Sequence, residues 1–324
     1  MKSRNIIQSN VPPGKLSVSD FSFGEIEVGE PGEGEALVRA IYISVDPYLM
    51  MRFRKGDFED NRVRSRLIGR VEKSRAPGVA EGDLVLGFGE WQERLIMPAS
   101  ELRIIRPKVP LPAYLGAIGH SGYTAMLGME LLDVQPGQTF TVSSAAGMVG
   151  TVAGQLARLA GARVVGIAGG DKAQAVVDNF GFDAGVDYRA GDLGASLAKA
   201  APDGIDRHFE NVGTSMLNPV MDNANKFARI ALCGMIEHYA DDDPICFANF
   251  KQMMVKSLTM SGFSIYDHLD RYEAGLAKLE ELYLSGDLKS IEVVHEGFEN
   301  IPAAEVAMLG GEGIGKHMVK VGPE

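Results

Sequence analysis

The sequence predicts an α/β protein in which a doubly wound parallel sheet is joined to a second, β-rich domain. Three observations carry this expectation. Residues 1 to about 115 hold short apolar runs punctuated by Gly, Pro and Asp, the spacing of a small all-β or barrel-like unit. From residue 139 onward, apolar strands alternate with amphipathic helices, which implies a parallel sheet covered on both faces. The change of rhythm falls on a glycine-containing turn that leads a strand directly into a helix.

In the first part, ALVRAIYISV (36–45), DLVLGF (83–88) and WQERLIM (91–97) read as strands. Between them, Arg52 to Arg75 includes Arg54, Lys55, Arg62, Arg64, Arg66 and Arg70 in a loop-like context. Such a run is ordinarily a solvated face, and its functional reading is attraction of a substrate carboxylate or a cofactor phosphate. In the middle part, the strand TFTVSS (139–144) runs into AAGMVG and then a helix. Val149, Val152, Ala153, Leu156 and Leu159 recur there at helical spacing, predicting one apolar face against the sheet, and Gly161 ends the helix. Next come a strand RVVGIAG (163–169), a helix over 171–180, a strand AGVDY (184–188) and a helix over 192–200. IDRHFENVG (205–213) and ARIALCG (228–234) follow as strands separated by a helix, and one long helix spans 267–285. AAEVAMLG and KHMVKV close the chain as helix and strand.

Composition limits the function classes. The 324 residues, 45% hydrophobic and 23% charged, suffice for two domains with a core each. With 32 basic against 43 acidic residues the net charge is -11, which argues against nucleic acid as a partner, because a phosphate backbone needs a positive surface. Two cysteines, Cys233 and Cys246, build neither a disulfide framework nor a four-thiolate zinc lobe. No apolar run approaches the roughly 18 to 20 residues of a membrane span, and MKSRNIIQSNVPPGK lacks the apolar stretch of a signal peptide. The cytoplasm is the expected location.

Ala145, Ala146, Gly147, Met148, Val149 and Gly150 stand where a dinucleotide fingerprint would, with alanine in place of the first glycine. Backbone amides at the start of the next helix face a pyrophosphate there, and glycine lets the phosphate approach. The preceding strand, the amphipathic helix and a second strand supply the context that this reading requires. The tip of that second strand, Ala168, Gly169, Gly170, Asp171 and Lys172, selects the cofactor. Its uncharged glycines leave room for a 2′-phosphate that Lys172 would pair, favouring NADP, whereas Asp171 turned inward would accept the ribose hydroxyls of NAD.

Other chemistries find little support. The six histidines show no HExxH pairing and no nearby cysteine, so no metal site is expected. Gly119, His120, Ser121, Gly122 and Tyr123 imitate a nucleophile elbow for three residues, but Tyr123 replaces the closing glycine and no β-branched strand leads in. His120 reads as a polar group at a domain junction, of interest if it faces a cleft.

The chain resembles the zinc-independent medium-chain dehydrogenases/reductases, in the group of prostaglandin reductase, plant 2-alkenal reductases and bacterial curcumin reductase. The likeness runs from about residue 24 to 320, through GEGEALVRAIYISVDPYL (32–49), SSAAGMVGTVAGQLARLAGARVVGIAGG (143–170), GIDRHFENVG (204–213), ARIALCG (228–234), SGF (261–263) and EGFENIPAA (296–304). It implies a GroES-like substrate domain over 1–118, completed by 297–324, and a Rossmann domain over 119–296, with the active site in the cleft between them. It further implies NADPH-dependent reduction of the carbon–carbon double bond of α,β-unsaturated ketones or aldehydes, in a homodimer.

Carried over residue by residue, the resemblance gives Ala146, Gly147, Met148, Val149 and Gly150 the pyrophosphate, Gly170 and Lys172 the 2′-phosphate, and Tyr188 a place near the adenosine phosphate. Asn211 would stand beside the cofactor, although a turn former after a strand explains it equally. Cys233, Gly234, Met235, Ile236 and Tyr239 match the segment passing the nicotinamide, and Phe263, Ser264 and Ile265 the stretch whose backbone holds the carboxamide. Cys233 itself reads as a buried thiol without chemistry. Several departures face the substrate. The family's GMPG is Gly119, His120, Ser121, Gly122; its DPYMR is Asp46, Pro47, Tyr48, Leu49, Met50; its proline-rich loop is shortened to ADDDPICFANF (240–250); and its nicotinamide-side asparagine is Gly313.

The expected reaction is hydride transfer to the β-carbon of an enone, with an enolate whose oxygen needs a donor. With no metal expected, a hydroxyl must serve. Tyr48 in the matched DPY motif comes first, followed by the cofactor ribose hydroxyl and by Tyr266 or Tyr239. As a plain packing residue Tyr48 would be half-buried with its hydroxyl satisfied. Quinone reduction with the same cofactor, and a cofactor-binding sensor or structural protein without turnover, are the competing readings.

Overall fold

The computed structural model describes residues 1–240 and 243–324; Asp241 and Asp242, within the loop read as shortened, lie outside the described residues. The first part contains β1 (Lys2–Gln8), β2 (Phe21–Glu27), β3 (Glu35–Ser44), α1 (Leu49–Lys55), β4 (Arg64–Ser74), β5 (Leu84–Glu90), β6 (Arg94–Pro98) and β7 (Arg103–Ile105). The middle runs through α2 (His120–Leu132), β8 (Thr139–Val142), α3 (Met148–Leu159), β9 (Arg163–Ala168), α4 (Lys172–Phe180), β10 (Ala184–Asp187), α5 (Leu193–Ala200) and β11 (Ile205–Glu210). It continues with α6 (Thr214–Asn223), β12 (Ala224–Leu232), α7 (Gln252–Val255), β13 (Thr259–Gly262) and α8 (Tyr272–Ser285). The end is β14 (Glu292–Glu296), α9 (Ile301–Leu309) and β15 (Lys316–Lys320).

Six middle strands form one sheet in the order β10-β9-β8-β11-β12-β13, and every pair in it is parallel. The strand order reverses between β8 and β11, so a crevice opens beyond their carboxyl ends. A second sheet runs β14-β15-β3-β4-β5-β7, with β6 also on β3. The chain end therefore returns to the first domain: β15 pairs antiparallel with β3 and parallel with β14. Strand β14 belongs to this sheet although it precedes residue 297.

Packing in the first domain fixes the turn before α1. Leu49, Met50 and Phe53 are buried, and the Phe53 ring stands edge-on to Phe21 at 5.3 Å and lies 6.1 Å from Trp91. Trp91 Nε1 donates to Ser65 Oγ (2.9 Å), which donates to the carbonyl of Ser44 (2.7 Å). Gly56 at φ +60 ends α1, its amide donating to Arg52 O, a left-handed cap that glycine adopts without strain.

Three expectations need correction. The arginine-rich stretch is not a loop: it is α1 followed by β4, in which Ser65, Leu67 and Val71 point inward between Arg64, Arg66 and Arg70. Helix α3 buries Gly150, Thr151, Val152, Ala153, Gly154 and Ala157, while Leu159 is 43% exposed. It is wedged between the sheet and neighbouring helices, and a Cβ on Gly154 would sit 2.0 Å from the Phe182 ring, so small residues rather than a leucine stripe define its contacts. The helix expected over 267–285 is split. A short 3-10 turn over 265–271 breaks at His268 (φ −133), whose carbonyl accepts from Tyr123 Oη (2.7 Å), and α8 begins only at Tyr272.

Candidate active site

The crevice at the strand reversal opens into a cleft of about 860 Å³, within the range of small-molecule and cofactor sites. Its floor is the turn between β8 and α3. Gly150 packs so tightly that a Cβ would meet Ser144 O at 2.3 Å and Ala145 Cα at 2.9 Å, so only glycine brings the helix start this near the strand end. Ala146, Gly147, Met148, Val149 and Gly150 all line the cleft. The turn is held from below. Ser143 Oγ donates to Glu210 Oε1 (2.8 Å) and accepts from the amide of Asn211 (2.7 Å), while Asn211 Nδ2 donates to Ser143 O (2.8 Å). From the chain end, the Gly315 amide donates to Ala146 O (2.7 Å).

At one end of the cleft Lys172, Tyr188 and Arg189 form the wall together with Gly169. A Cβ on Gly169 would touch Arg189 Nε at 2.8 Å and the Tyr188 ring at 3.0 Å. Lys172 Nζ rests on the carbonyl of Gly311, and neither Lys172 nor Arg189 forms an ion pair among the described residues. Burial, and then the neighbouring Arg189, lower the basicity of Lys172. The Asp187 carboxylate is within charge range of Arg189 and accepts from its amide (2.9 Å), but two adjacent cations with no contact ion pair still favour an anion, and Asp171 is exposed to solvent. The donor set fits a dinucleotide with an added phosphate: amides at a helix start, a glycine floor and paired cations. The sequence reading missed Arg189, although its place one residue past the strand AGVDY was a visible signal.

Along the cleft, Asn211, Cys233, Gly234, Ile236, Tyr239, Phe263, Ser264, Ile265 and Gly313 are all on its walls; Gly170 and Met235 are not. Burial pushes the Cys233 thiol up to about 12, an inert group. Tyr239 Oη accepts from the Met235 amide (3.4 Å).

The other end is lined by Tyr48, Met51, His120, Ser121 and Tyr266. Tyr266 sits at the rim, 65% exposed. Tyr48 stands at the N-terminal boundary of α1, its side chain making no capping bond, and its hydroxyl accepts from Arg66 Nη1 (3.4 Å). Arg66 Nη2 lies 2.7 Å from His120 Nδ1. The same nitrogen lies 3.3 Å from Nε2; a guanidinium can only donate, so the nearer ring nitrogen, Nδ1, is assigned as the acceptor and the imidazole proton to Nε2. Behind Tyr48, Lys316 Nζ donates to Asp46 Oδ1 and to Val45 O (2.7 Å), and Ser44 Oγ donates to Asp46 Oδ2 (2.6 Å). Burial alone would raise Asp46, but the Lys316 ammonium and these hydrogen bonds hold it below the usual carboxylate range. Glu305, whose Oε2 accepts from the Asp46 amide (3.1 Å), is pushed well up by burial and by Asp46. Among the described residues no group of three or more His, Cys, Asp or Glu could hold a metal ion, and no helix is long and apolar enough to cross a membrane.

A parallel sheet with a glycine turn at its strand reversal, facing a mainly antiparallel domain across a largely apolar cleft with a few polar groups, is the architecture of a nucleotide-dependent oxidoreductase. Comparison with known proteins agrees. Residues 4–105 match the family described as the N-terminal domain of oxidoreductase, and residues 149–281 the family described as zinc-binding dehydrogenase. The protein YfmJ of Bacillus subtilis is 40% identical over 96% of this chain and 95% of its own length. The 2-alkenal reductase (NADP(+)-dependent) of Nicotiana tabacum is 34% identical over 100% of this chain and 99% of its own. The crystal structure of CurA from Vibrio vulnificus in complex with NADPH is 33% identical and superposes with a TM-score of 0.91 over 99% of this chain and 100% of that one. The chain belongs to the medium-chain dehydrogenase/reductase family, in the group of the 2-alkenal, prostaglandin and curcumin reductases.

The environment of His120 has a consequence for stability. Burial, then the charge of Arg66, push its basicity from 6.5 down to about 3. The unfolded chain thus takes up a proton on this ring below pH 6.5 while the folded chain does not. Stability fully present above that pH is lost progressively as pH falls toward 3, by about 2 kcal/mol at pH 5. In urea unfolding at pH 7 and pH 5, His120→Gln should lose about 2 kcal/mol less than the native chain over this interval. Equal losses would show that His120 is not the group responsible.

Proposed function

We propose that this protein uses NADPH to reduce the carbon–carbon double bond of α,β-unsaturated ketones or aldehydes, with a tyrosine hydroxyl and not a metal ion as the carbonyl donor. The observation that carries the reading is the placement of Tyr48. Its phenol lies on the cleft beside Met51 and His120, its oxygen lone pair is taken up by Arg66, and its own proton remains to be donated. The relatives named for NADP-dependent 2-alkenal reduction and the NADPH complex of CurA support the cofactor and the substrate class.

Bound NADPH supplies the hydride for the β-carbon. The chain supplies the rest. The β8–α3 turn and the start of α3 would hold the diphosphate, Lys172 and Arg189 the 2′-phosphate, and the walls from Asn211 to Ile265 would orient the reactive ring. Tyr48 Oη donates to the carbonyl oxygen as negative charge develops on it, and the α-carbon takes its proton from solvent at the rim, where Tyr266 stands. Burial, then Asp46, raise the Tyr48 phenol above its ordinary value, with Arg66 opposing them. It therefore stays protonated and works as a hydrogen-bond donor at neutral pH.

The division of labour between a substrate domain, 1–118 with the chain end from β14 onward, and a Rossmann domain between them belongs to the same proposal, with the expected boundary at 297 moved back to include β14. So does a cytoplasmic homodimer. Strand β13 is the edge of the parallel sheet, and Met254 and Val255 just before it are exposed at 80% and 58%, an edge that a second copy would cover. Light scattering should give about twice the chain mass of 34.8 kDa; a monomer mass would refute the dimer.

Two kinetic outcomes are expected. Tyr48→Phe should lower kcat on an alkenone by about 10-fold to 100-fold with NADPH affinity unchanged; undiminished turnover would remove Tyr48 from this role, and selective oxidation of NADPH by quinones would move the substrate class. Lys172→Ala and Arg189→Ala should each raise KM for NADPH by about 10-fold or more while KM for NADH stays within about twofold. Equal rises for both nucleotides would place these cations away from the 2′-phosphate.

A further inference from the structure

Arg66 stands directly behind Tyr48 at the substrate end of the cleft. It projects from β4 of the first domain, half-buried, across the domain junction to the first residue of α2. Buried arginines ordinarily sit against carboxylates, because an unpaired buried charge is costly. Arg66 is in no ion pair among the described residues. Its side-chain contacts go to two neutral groups, Tyr48 Oη (3.4 Å) and the His120 ring (Nδ1 at 2.7 Å, Nε2 at 3.3 Å), and its guanidinium carbon stands 5.9 Å from the Phe88 ring centroid. Asp46, a carboxylate whose charge reaches Arg66, is already matched by Lys316. The substrate end of the cleft therefore carries one positive charge in excess, applied directly behind the tyrosine oxygen.

We propose that Arg66, steadied by His120, is a positioning residue that aims and strengthens the Tyr48 hydroxyl as the donor to the substrate carbonyl. This rests on the reading of Tyr48 as that donor. A phenol has one proton and its oxygen lone pairs. With Nη1 donating to the oxygen, the proton turns away from the guanidinium, and the open direction is the cleft. As charge develops on the substrate oxygen, part of it spreads through the Tyr48 hydrogen bond, and the fixed cation behind the phenol stabilises it. The arrangement does this only in the transition state, when charge is present, so it acts on turnover more than on binding. His120 matters through geometry: a neutral acceptor holds the other guanidinium nitrogen without neutralising the cation, which a carboxylate at position 120 would do.

The test is a double-mutant cycle on the full-length protein, with an alkenone as substrate and NADPH affinity measured separately by fluorescence. Arg66→Met should reduce kcat by about 10-fold to 100-fold and leave the NADPH Kd within about twofold. Arg66→Lys, which keeps the charge on a shorter hydrogen-bonding reach, should recover part of the loss. Added to Tyr48→Phe, Arg66→Met should cost no more than about twofold further, since the group through which it acts is gone. Should the methionine variant fail to bind NADPH, Arg66→Gln takes its place in the cycle. Native kcat in a variant that binds NADPH normally, or a loss on the Tyr48→Phe background as large as on the native one, overturns the role of Arg66 with that of Tyr48 intact. Full activity of Tyr48→Phe alone overturns the reading of Tyr48, and the proposal with it.

Discussion

Where a parallel sheet reverses its strand order, two loops diverge, and their buried polar groups must be satisfied without filling the crevice between them. Here one side chain does most of this. Glu210, fully buried at the end of β11, receives Ser143 Oγ (2.8 Å), the Gly213 amide (2.8 Å) and the Val212 amide (2.5 Å) on Oε1, while Oε2 lies 2.7 Å from His208 Nε2. His208 reaches on to Thr141 on β8 (2.8 Å). The turn that would hold a diphosphate and the loop that carries Asn211 are thereby locked to one another. Removing the carboxyl would strand several buried donors, each costing about 1 to 3 kcal/mol, and would free both walls of the cleft at once.

The second domain is registered to this floor by the chain end. Lys316 on β15 holds Asp46 in the turn before α1, and one residue earlier the Gly315 amide holds the carbonyl of Ala146. A single short segment thus touches both the turn beneath the cofactor cleft and the turn that presents Tyr48. Because Asp46 and Lys316 cancel and Glu305 is pushed toward its neutral form, the charge remaining at the substrate end is that of Arg66. In the proposed reaction that imbalance sets the electrostatics: a protonated phenol with a cation behind it would suit a substrate oxygen that gains charge during turnover.

Much of this was legible in the sequence. Near-continuous apolar strands such as RVVGIAG bounded by helices announce a parallel sheet, and the turn at Gly147 and Gly150 announces what lies at its edge, because both depend on local pattern. What was hidden depended on distant neighbours. Helix α3 is buried on more than one side, so its periodicity misplaced Leu159. In β4 the alternation of Arg64, Arg66 and Arg70 with inward residues was present, but the charges masked it as a loop. Helix α2, with glycines at 122 and 128, gave no strong helical signal; both glycines are explained by tertiary contact, a Cβ at Gly128 meeting Phe209 at 2.3 Å and one at Gly122 meeting Ala117 O at 1.8 Å. The partnership of Arg66 with His120 spans 54 positions and two domains, and no spacing rule reaches that far.

In the proposed reaction hydride goes to the carbon β to the carbonyl, and the chain holds the carbonyl oxygen as it becomes an enolate. Isotope tracing reads this directly. NADPH deuterated at both C4 positions, incubated with the protein and an alkenone, should give a saturated ketone with deuterium on the β-carbon by NMR; the same reaction with unlabelled NADPH in deuterated water should place deuterium on the α-carbon. Deuterium on the carbonyl carbon, giving an allylic alcohol, would rule out reduction of the carbon–carbon double bond.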